Sequence, residues 1–232
     1  GERLGVLNLL EQRIVRRLPA AYLTHEAWLC GYRFHVDERV IVPRSYFGEL
    51  LADGLAPWLD DPLSVTAALD LCTGSGCLAI IMADALPNAH IDAVDLSADA
   101  LAVARRNVVE HGREDRIRLV QSDLLEGLTA CRYDLIICNP PYVTAESMAS
   151  LPTEYRHEPA LALSAGEDGL DVVRRLLVGA ADHLGDDGLL FVEVGHNADI
   201  VEAAFPDLPF TWIDSASAEG KVFMLRRADL GA

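Results

Sequence analysis

The stretch ICNPPYVTAE, residues 137 to 146, ends a short apolar run on Asn139 and then places Pro140, Pro141 and Tyr142 in succession. Two uses suit an amide that closes a buried strand and is followed by two stiff residues. One is a plain strand-end turn, since Asn and Pro are ordinary turn residues. The other is a rigid clamp for a planar amide or amine, in which the prolines fix φ and hold the neighbouring acceptors still.

A second constellation lies upstream. LDLCTGSGCLAI, residues 69 to 80, reads as an apolar strand, a glycine-rich turn and the start of a helix. Gly74 and Gly76 remove side chains where the backbone must turn tightly and approach a ligand. The helix behind them offers free amide groups to an anionic or polar ligand. Such a turn is weak evidence alone, and the pattern lacks the third glycine of a dinucleotide fingerprint. Asp95 sharpens it: it ends the next strand about 20 residues downstream, where a carboxylate can accept both hydroxyls of a ribose. Asp123, in QSDLL after the third strand, is placed to bond an adenine amino group, with Leu124 covering the ring. Turn, Asp95 and Asp123 together indicate a nucleoside site. Taken alone, Asp95 also reads as part of a helix start, although Ser97 is the better cap.

The elements that position these residues follow from periodicity. Leu7, Leu10, Ile14 and Leu18 predict a helix over 5–18, stopped by Pro19. Alternation over 32–42 around Asp37 and Glu38 predicts a small hairpin, and a helix is expected over 45–56. From about residue 64, strands are predicted at 65–71, 89–96, 116–122, 133–139 and 188–194, with helices at 76–86, 97–111 and 168–184. Alternation of this kind implies a parallel sheet covered on both faces. After a helix near 197–205, strands at 210–216 and 221–227, joined through Ala218, Glu219 and Gly220, predict an antiparallel hairpin at the sheet edge. The link from Asn139 to about Asp168 shows no clear periodic element, and structureless loops of that length are uncommon unless they serve a site.

Composition bounds the rest. The 232 residues, 51% hydrophobic, suit a folded domain with a substantial core. No apolar run approaches the roughly 18 residues of a membrane span, so no membrane association is expected. Cys30, Cys72, Cys77, Cys131 and Cys138 are odd in number and mostly in apolar surroundings, which points to reduced thiols and the cytoplasm. The net charge of −17, from 19 basic and 36 acidic residues, disfavours general nucleic-acid binding and suits a basic protein partner. It equally suits solubility alone. His25, His35, His90, His111, His183 and His196 show no metal-ligand spacing, and no metal is expected.

The order of these segments, ending in a hairpin, resembles a class I S-adenosylmethionine-dependent methyltransferase. That implies an α/β, Rossmann-like, mostly parallel seven-stranded sheet with a C-terminal antiparallel hairpin. NPPY after the fourth strand resembles the branch that methylates planar nitrogen in adenine, cytosine or glutamine amides. RLPAAYLTHEAWLCGYRFHVDERVIVPRS, NPPYV, LPTEYRHEPALALSAGEDGLDVVRRLL and EVG are similar to the protein-(glutamine-N(5)) methyltransferase family, over nearly the whole chain. VDERVIVPRS and EYRHEPALAL look most like the branch acting on large-subunit ribosomal protein L-three. The resemblance implies that residues 1–30 end an N-terminal helical recognition domain, 31–63 form a hairpin and helix linker, and 64–232 form the catalytic domain.

Carried over residue by residue, Cys72, Thr73, Gly74, Ser75, Gly76 and Asp95 would hold S-adenosyl-L-methionine and its product S-adenosyl-L-homocysteine. Asp123 and Leu124 would flank the adenine. Asn139, Pro140, Pro141 and Tyr142 would hold the target amide, with Asn139, Pro140 and Tyr142 closest to the chemistry and Asn139 also facing the cofactor. Arg44 reads either as closing over the methionine end or as pinning a loop, and His157 and Glu158 as ordering the loop or meeting substrate. Two departures stand out. Cys72 replaces the family's usual glycine, which is expected to be tolerable only with φ below zero. Ser45, Tyr46 and Phe47 replace Ser-Pro-Ile, so helix entry there is expected to differ. A release-factor methyltransferase, a nucleic-acid amino-methyltransferase and a non-catalytic ribosome-assembly factor remain alternatives. The charge disfavours the second, and the intact motif the third.

Overall fold

The alternating apolar strands and helices form an open sheet with its helices on both faces in the computed structural model, which describes residues 2–128, 131–214 and 219–231. Before the sheet come α1 (Glu2–Ile14), α2 (Ala20–Thr24), β1 (Glu26–Leu29), β2 (Tyr32–His35) and α3 (Phe47–Ala52). Then follow β3 (Ala67–Leu71), α4 (Cys77–Ala85), β4 (His90–Asp95), α5 (Ala98–Glu110), β5 (Ile117–Gln121) and β6 (Tyr133–Cys138). The remainder is α6 (Ala145–Ser150), α7 (Asp171–His183), β7 (Leu184–Glu193), α8 (Ala198–Ala204), β8 (Thr211–Ile213), β9 (Val222–Arg226) and α9 (Arg227–Leu230).

The main sheet runs in the order β5-β4-β3-β6-β7-β9-β8. Its first five members are parallel, and β9 pairs antiparallel with both β7 and β8. The expected edge hairpin is therefore present, while Ala218 in its predicted turn lies outside the described residues. Alternating strand residues feed two separate cores, because successive side chains leave a strand on opposite faces. Ala68 packs with α3, α4 and α5, whereas Leu69 and Leu71 pack with α7 and Val201 of α8. Strand order reverses between β3 and β6. The crevice outside the strand carboxyl ends at such a point is where open α/β sheets bind ligands.

Three expectations change. The small hairpin is β1 with β2, residues 26–35, not 32–42. Its two-residue turn is Cys30–Gly31, both at positive φ (51° and 82°), the geometry that matches strand twist in a hairpin. Asp37 to Val40 is a turn, closed by Val40 N–H donating to the Asp37 carbonyl at 3.2 Å, but no paired strands flank it. The helix expected over 45–56 is shorter, because Gly54 and Leu55 turn to positive φ (64° and 58°). The link after Asn139 is not structureless: it contains α6 and single 3-10 turns at Thr153–His157 and Ala160–Ala162. Its neck is zipped by Val143 N–H to Leu163 O at 2.9 Å and Ala165 N–H to Val143 O at 3.2 Å. The helix read from Leu7, Leu10 and Ile14 is α1, on which all three side chains are exposed.

Candidate active site

A cavity of about 230 Å³ lies at the strand ends where the sheet order reverses. Cys72 and Gly74 after β3, Asp95 at the end of β4, Ser122 to Leu124 after β5, and Asn139 and Pro141 after β6 all line it. Pro159, Leu161, Ala162 and Ser164 cover it from the loop. The structure thus brings together most of the nucleoside-site residues predicted from sequence. Thr73, Ser75, Gly76, Pro140 and Tyr142 stand behind this wall rather than in it.

The turn after β3 is held from below and from the side. Thr73 N–H donates to the Val94 carbonyl at 2.9 Å, and Gly76 N–H closes the turn onto the Thr73 carbonyl at 2.9 Å. Buried Asp70 accepts from the Thr73 hydroxyl at 2.5 Å and from Ala79 N–H at 3.0 Å, so one carboxylate joins the turn to the first turn of α4. Burial pushes the Asp70 carboxyl up to about 7. Gly74, at φ 55°, has nothing within 4 Å of where a Cβ would stand, so a side chain there would project into open space at the ligand wall. Gly76 packs against α5: an added Cβ would sit 3.2 Å from Ala104 Cβ. Cys72 corrects the expectation of negative φ. It adopts φ 60°, a conformation that costs a non-glycine residue about 1–2 kcal/mol and must be imposed by the bonds around it.

Asp95 is bound on both oxygens, by Gly74 N–H at 2.8 Å and Ser97 N–H at 2.9 Å. Each oxygen keeps a lone pair, which leaves the acceptor capacity a vicinal diol requires. Burial raises its pKa, and the backbone donors oppose that. Ser97 caps α5 as expected, accepting from Ala100 N–H at 3.1 Å. Asp123 reaches the cavity wall, but its carboxylate also pairs with Arg175 at 2.9 Å, a partner the sequence reading did not anticipate. The set fits a nucleoside-bearing cofactor: a side-chain-free cradle at Gly74, a half-buried diol acceptor in Asp95, and an apolar cover in Leu124.

The clamp sits at the neighbouring strand end. Asn139 Nδ2 donates to the Arg44 carbonyl at 3.5 Å, which leaves Oδ1 as the acceptor for a ligand. Among the described residues no hydrogen-bond donor meets the carbonyl of Pro140, itself buried behind the cavity wall. Tyr142 is fixed at three points. Its hydroxyl donates to Glu193 Oε1 at 3.2 Å, and its carbonyl accepts from Asn197 Nδ2 at 2.7 Å. Its ring lies over Gly195, where a Cβ would come within 2.8 Å of Cε2.

Arg44 resolves as a loop-pinning residue. Its guanidinium makes a bidentate pair with Glu158 at 2.8 and 2.6 Å and stacks 4.7 Å from the Tyr155 ring centroid. Glu158 is thus structural in this arrangement. His157 Nε2 donates to the Arg16 carbonyl at 2.8 Å, and Glu154 pairs with Arg13 and Arg17 at 2.9 and 2.8 Å. The loop is therefore tied to α3's entry on one side and to the α1 end on the other. Helix entry at 45–47 also takes its own form: Ser45 Oγ accepts from Phe47 N–H at 3.1 Å and donates to Glu193 at 2.6 Å. Asp70, Glu193, Asn197 and Arg175 were not singled out from sequence. A carboxylate near the end of an otherwise apolar strand, as in GLLFVEV, is the signal that marks Glu193.

Residues 52–154 match the family model described as the methyltransferase small domain. The chain is 59% identical over 229 residues to the ribosomal protein uL3 glutamine methyltransferase of Bordetella pertussis, covering 99% of this chain and 77% of that one. It is 57% identical over 229 residues to the protein of that name from Neisseria meningitidis serogroup A, covering 99% and 75%. Among solved structures, the hMettl16 catalytic domain in complex with a MAT2A 3'UTR hairpin superposes with a TM-score of 0.62. It is 16% identical, covers 95% of this chain and 78% of that chain, and speaks to the fold alone.

Proposed function

The chain belongs to the ribosomal protein uL3 glutamine methyltransferases, and from that premise we propose that it methylates the side-chain amide nitrogen of a glutamine in uL3. It is a class I methyltransferase whose cofactor is S-adenosylmethionine. The observation that carries the residue-level reading is that Asn139 and Asp95 line one cavity from the ends of β6 and β4, the two strands that flank β3.

Gly74, Asp95, Asp123 and Leu124 would hold the cofactor, with the Cys72–Gly76 turn as its cradle. Bound there, S-adenosylmethionine supplies an electrophilic methyl carbon on a sulfonium. What the chain must supply is orientation, because a carboxamide nitrogen is a poor nucleophile whose lone pair is delocalised into its carbonyl. Asn139 Oδ1 and the Pro140 carbonyl each accept one N–H of the target amide, and the prolines keep those acceptors at fixed angles. Tyr142 packs beside the amide plane. The proton leaves after methyl transfer, so the clamp requires no strong base, and positioning is the chief source of rate.

Residues 1–30 belong to partner recognition, 31–63 link, and 64–232 carry catalysis. The partner is basic, matched to the −17 charge, and nucleic acid is not bound in general. No helix among the described residues is long and apolar enough to cross a membrane. The cytoplasm, where unpaired cysteines stay reduced, suits this work.

The test incubates the chain and methyl-labelled cofactor with undermodified uL3, release factors, DNA and RNA. Label on a glutamine of uL3 is expected. Label confined to nucleic acid or to release factors overturns the substrate assignment, and no label in any acceptor overturns catalysis.

A further inference from the structure

Glu193 is 1% exposed, yet it stands at the C-terminal end of β7 beside the clamp. Cys138 of β6 pairs in parallel register with Val192 of β7, so Asn139 and Glu193 follow one step beyond on adjacent strands. Both reach the same short segment. Asn139 donates to the Arg44 carbonyl, while Glu193 Oε2 accepts from Ser45 Oγ at 2.6 Å and Tyr46 N–H at 3.1 Å. The other oxygen, Oε1, accepts the Tyr142 hydroxyl at 3.2 Å. One buried carboxylate thereby joins the aromatic end of the clamp to the segment that holds the clamp's asparagine.

We propose that Glu193 is a positioning residue for methyl transfer, setting the Tyr142 ring and the Arg44–Tyr46 segment at a fixed separation around the target amide. The proposal rests on the amide-methylating reading above. The plainer alternative is that Glu193 only anchors the start of α3 through Ser45 and Tyr46. A helix anchor would change stability and leave turnover intact. A positioning residue changes turnover through Tyr142.

Burial supports the stronger role. A carboxylate with three donors in a site closed to water is a stiff connector, since losing it strands those donors. Asn197 and Gly195 already fix the carbonyl and ring face of Tyr142, so the Glu193 bond removes the remaining freedom at the hydroxyl end. A ring shifted by about 1 Å in such a site costs about 100-fold in rate.

The experiment measures steady-state methylation of uL3 and cofactor affinity for wild type, Glu193→Gln, Glu193→Ala, Tyr142→Phe and the Glu193→Gln/Tyr142→Phe double variant. Glu193→Ala is expected to lower kcat by about 10- to 100-fold with cofactor Kd within about threefold of wild type. Glu193→Gln should recover much of that loss, because its single oxygen still accepts from Ser45 and Tyr46 and its NH₂ can donate to the Tyr142 oxygen. In the Tyr142→Phe background, Glu193→Gln should cost little more, the non-additivity of residues acting as one unit. Wild-type kcat in Glu193→Ala overturns the proposal, as do multiplicative losses in the double variant. If Glu193→Ala fails to fold, Tyr142→Phe decides, since it removes the Glu193 bond from the ring side: a lowered kcat with cofactor Kd unchanged is expected, and wild-type kcat overturns the proposal. A wild type that labels no glutamine overturns the function assigned above, and the inference with it.

Discussion

Asn139 has two jobs that its side chain divides between its ends. Nδ2 is held by the Arg44 carbonyl, and in the proposed clamp Oδ1 reads the target amide. Asn139→Ala is therefore expected to lower methylation of uL3 by at least about 100-fold while changing cofactor affinity by less than about threefold, by single-turnover transfer and calorimetry. Equal loss of both would make Asn139 chiefly a support of the cavity wall. Much at this scale was legible in the sequence, because Asn139, Asp95 and Gly74 are polar or side-chain-free residues at strand ends and announce themselves by type. Cys72 did not. Its turn is pinned by bonds from Thr73 and Gly74 to Val94 and Asp95 of β4, and no local residue preference signals the positive φ. Asp123 was legible as a strand-end carboxylate, but its pairing with Arg175 comes from α7, far along the chain.

At the scale of elements, the loop between Val143 and Ala165 adds ion pairs to its zipped neck and to buried Leu163 and Ala165. Arg44 and Glu158 supply the central one, with the Glu158 side chain 4% exposed and the Arg44 side chain 36% exposed. Arg44→Ala leaves a buried carboxylate without its partner. The expected loss is about 2–3 kcal/mol in chemical denaturation, below the 3–5 kcal/mol of a fully buried pair because Arg44 is partly solvated. Arg44→Lys should recover only part of this, since an ammonium neither makes the bidentate pair nor stacks on Tyr155. Full recovery by Lys would show that charge alone holds the loop. The sheet and its helices were readable because apolar periodicity encodes them directly. The β1–β2 hairpin was misplaced because 32–42 alternates as a strand would. The true turn rests on Cys30 and Gly31 taking positive φ together, which the Cys-Gly pair signals only faintly.

For the whole molecule, a net charge of −17 acts over distances no single contact spans. If uL3 presents basic residues, encounter is electrostatically steered and the steering is screened by salt. Raising ionic strength from about 0.05 to 0.5 M should lower kcat/KM for uL3 several-fold and leave kcat nearly unchanged. A salt-independent kcat/KM would assign the charge to solubility alone. That distinction was not legible in composition, which sums charge without placing it. The ties of the 143–165 loop carry a separate consequence. Its anchors to Arg13, Arg16 and Arg17 lie on one side, and the strand ends that orient the amide lie on the other. On the proposed roles, choice of client falls to those moorings and execution of the reaction to the strand ends, with the cavity-lining face of the loop between them. A lineage could then exchange the helical moorings and acquire a new client while the strand ends and the loop face that covers the cavity passed through unaltered.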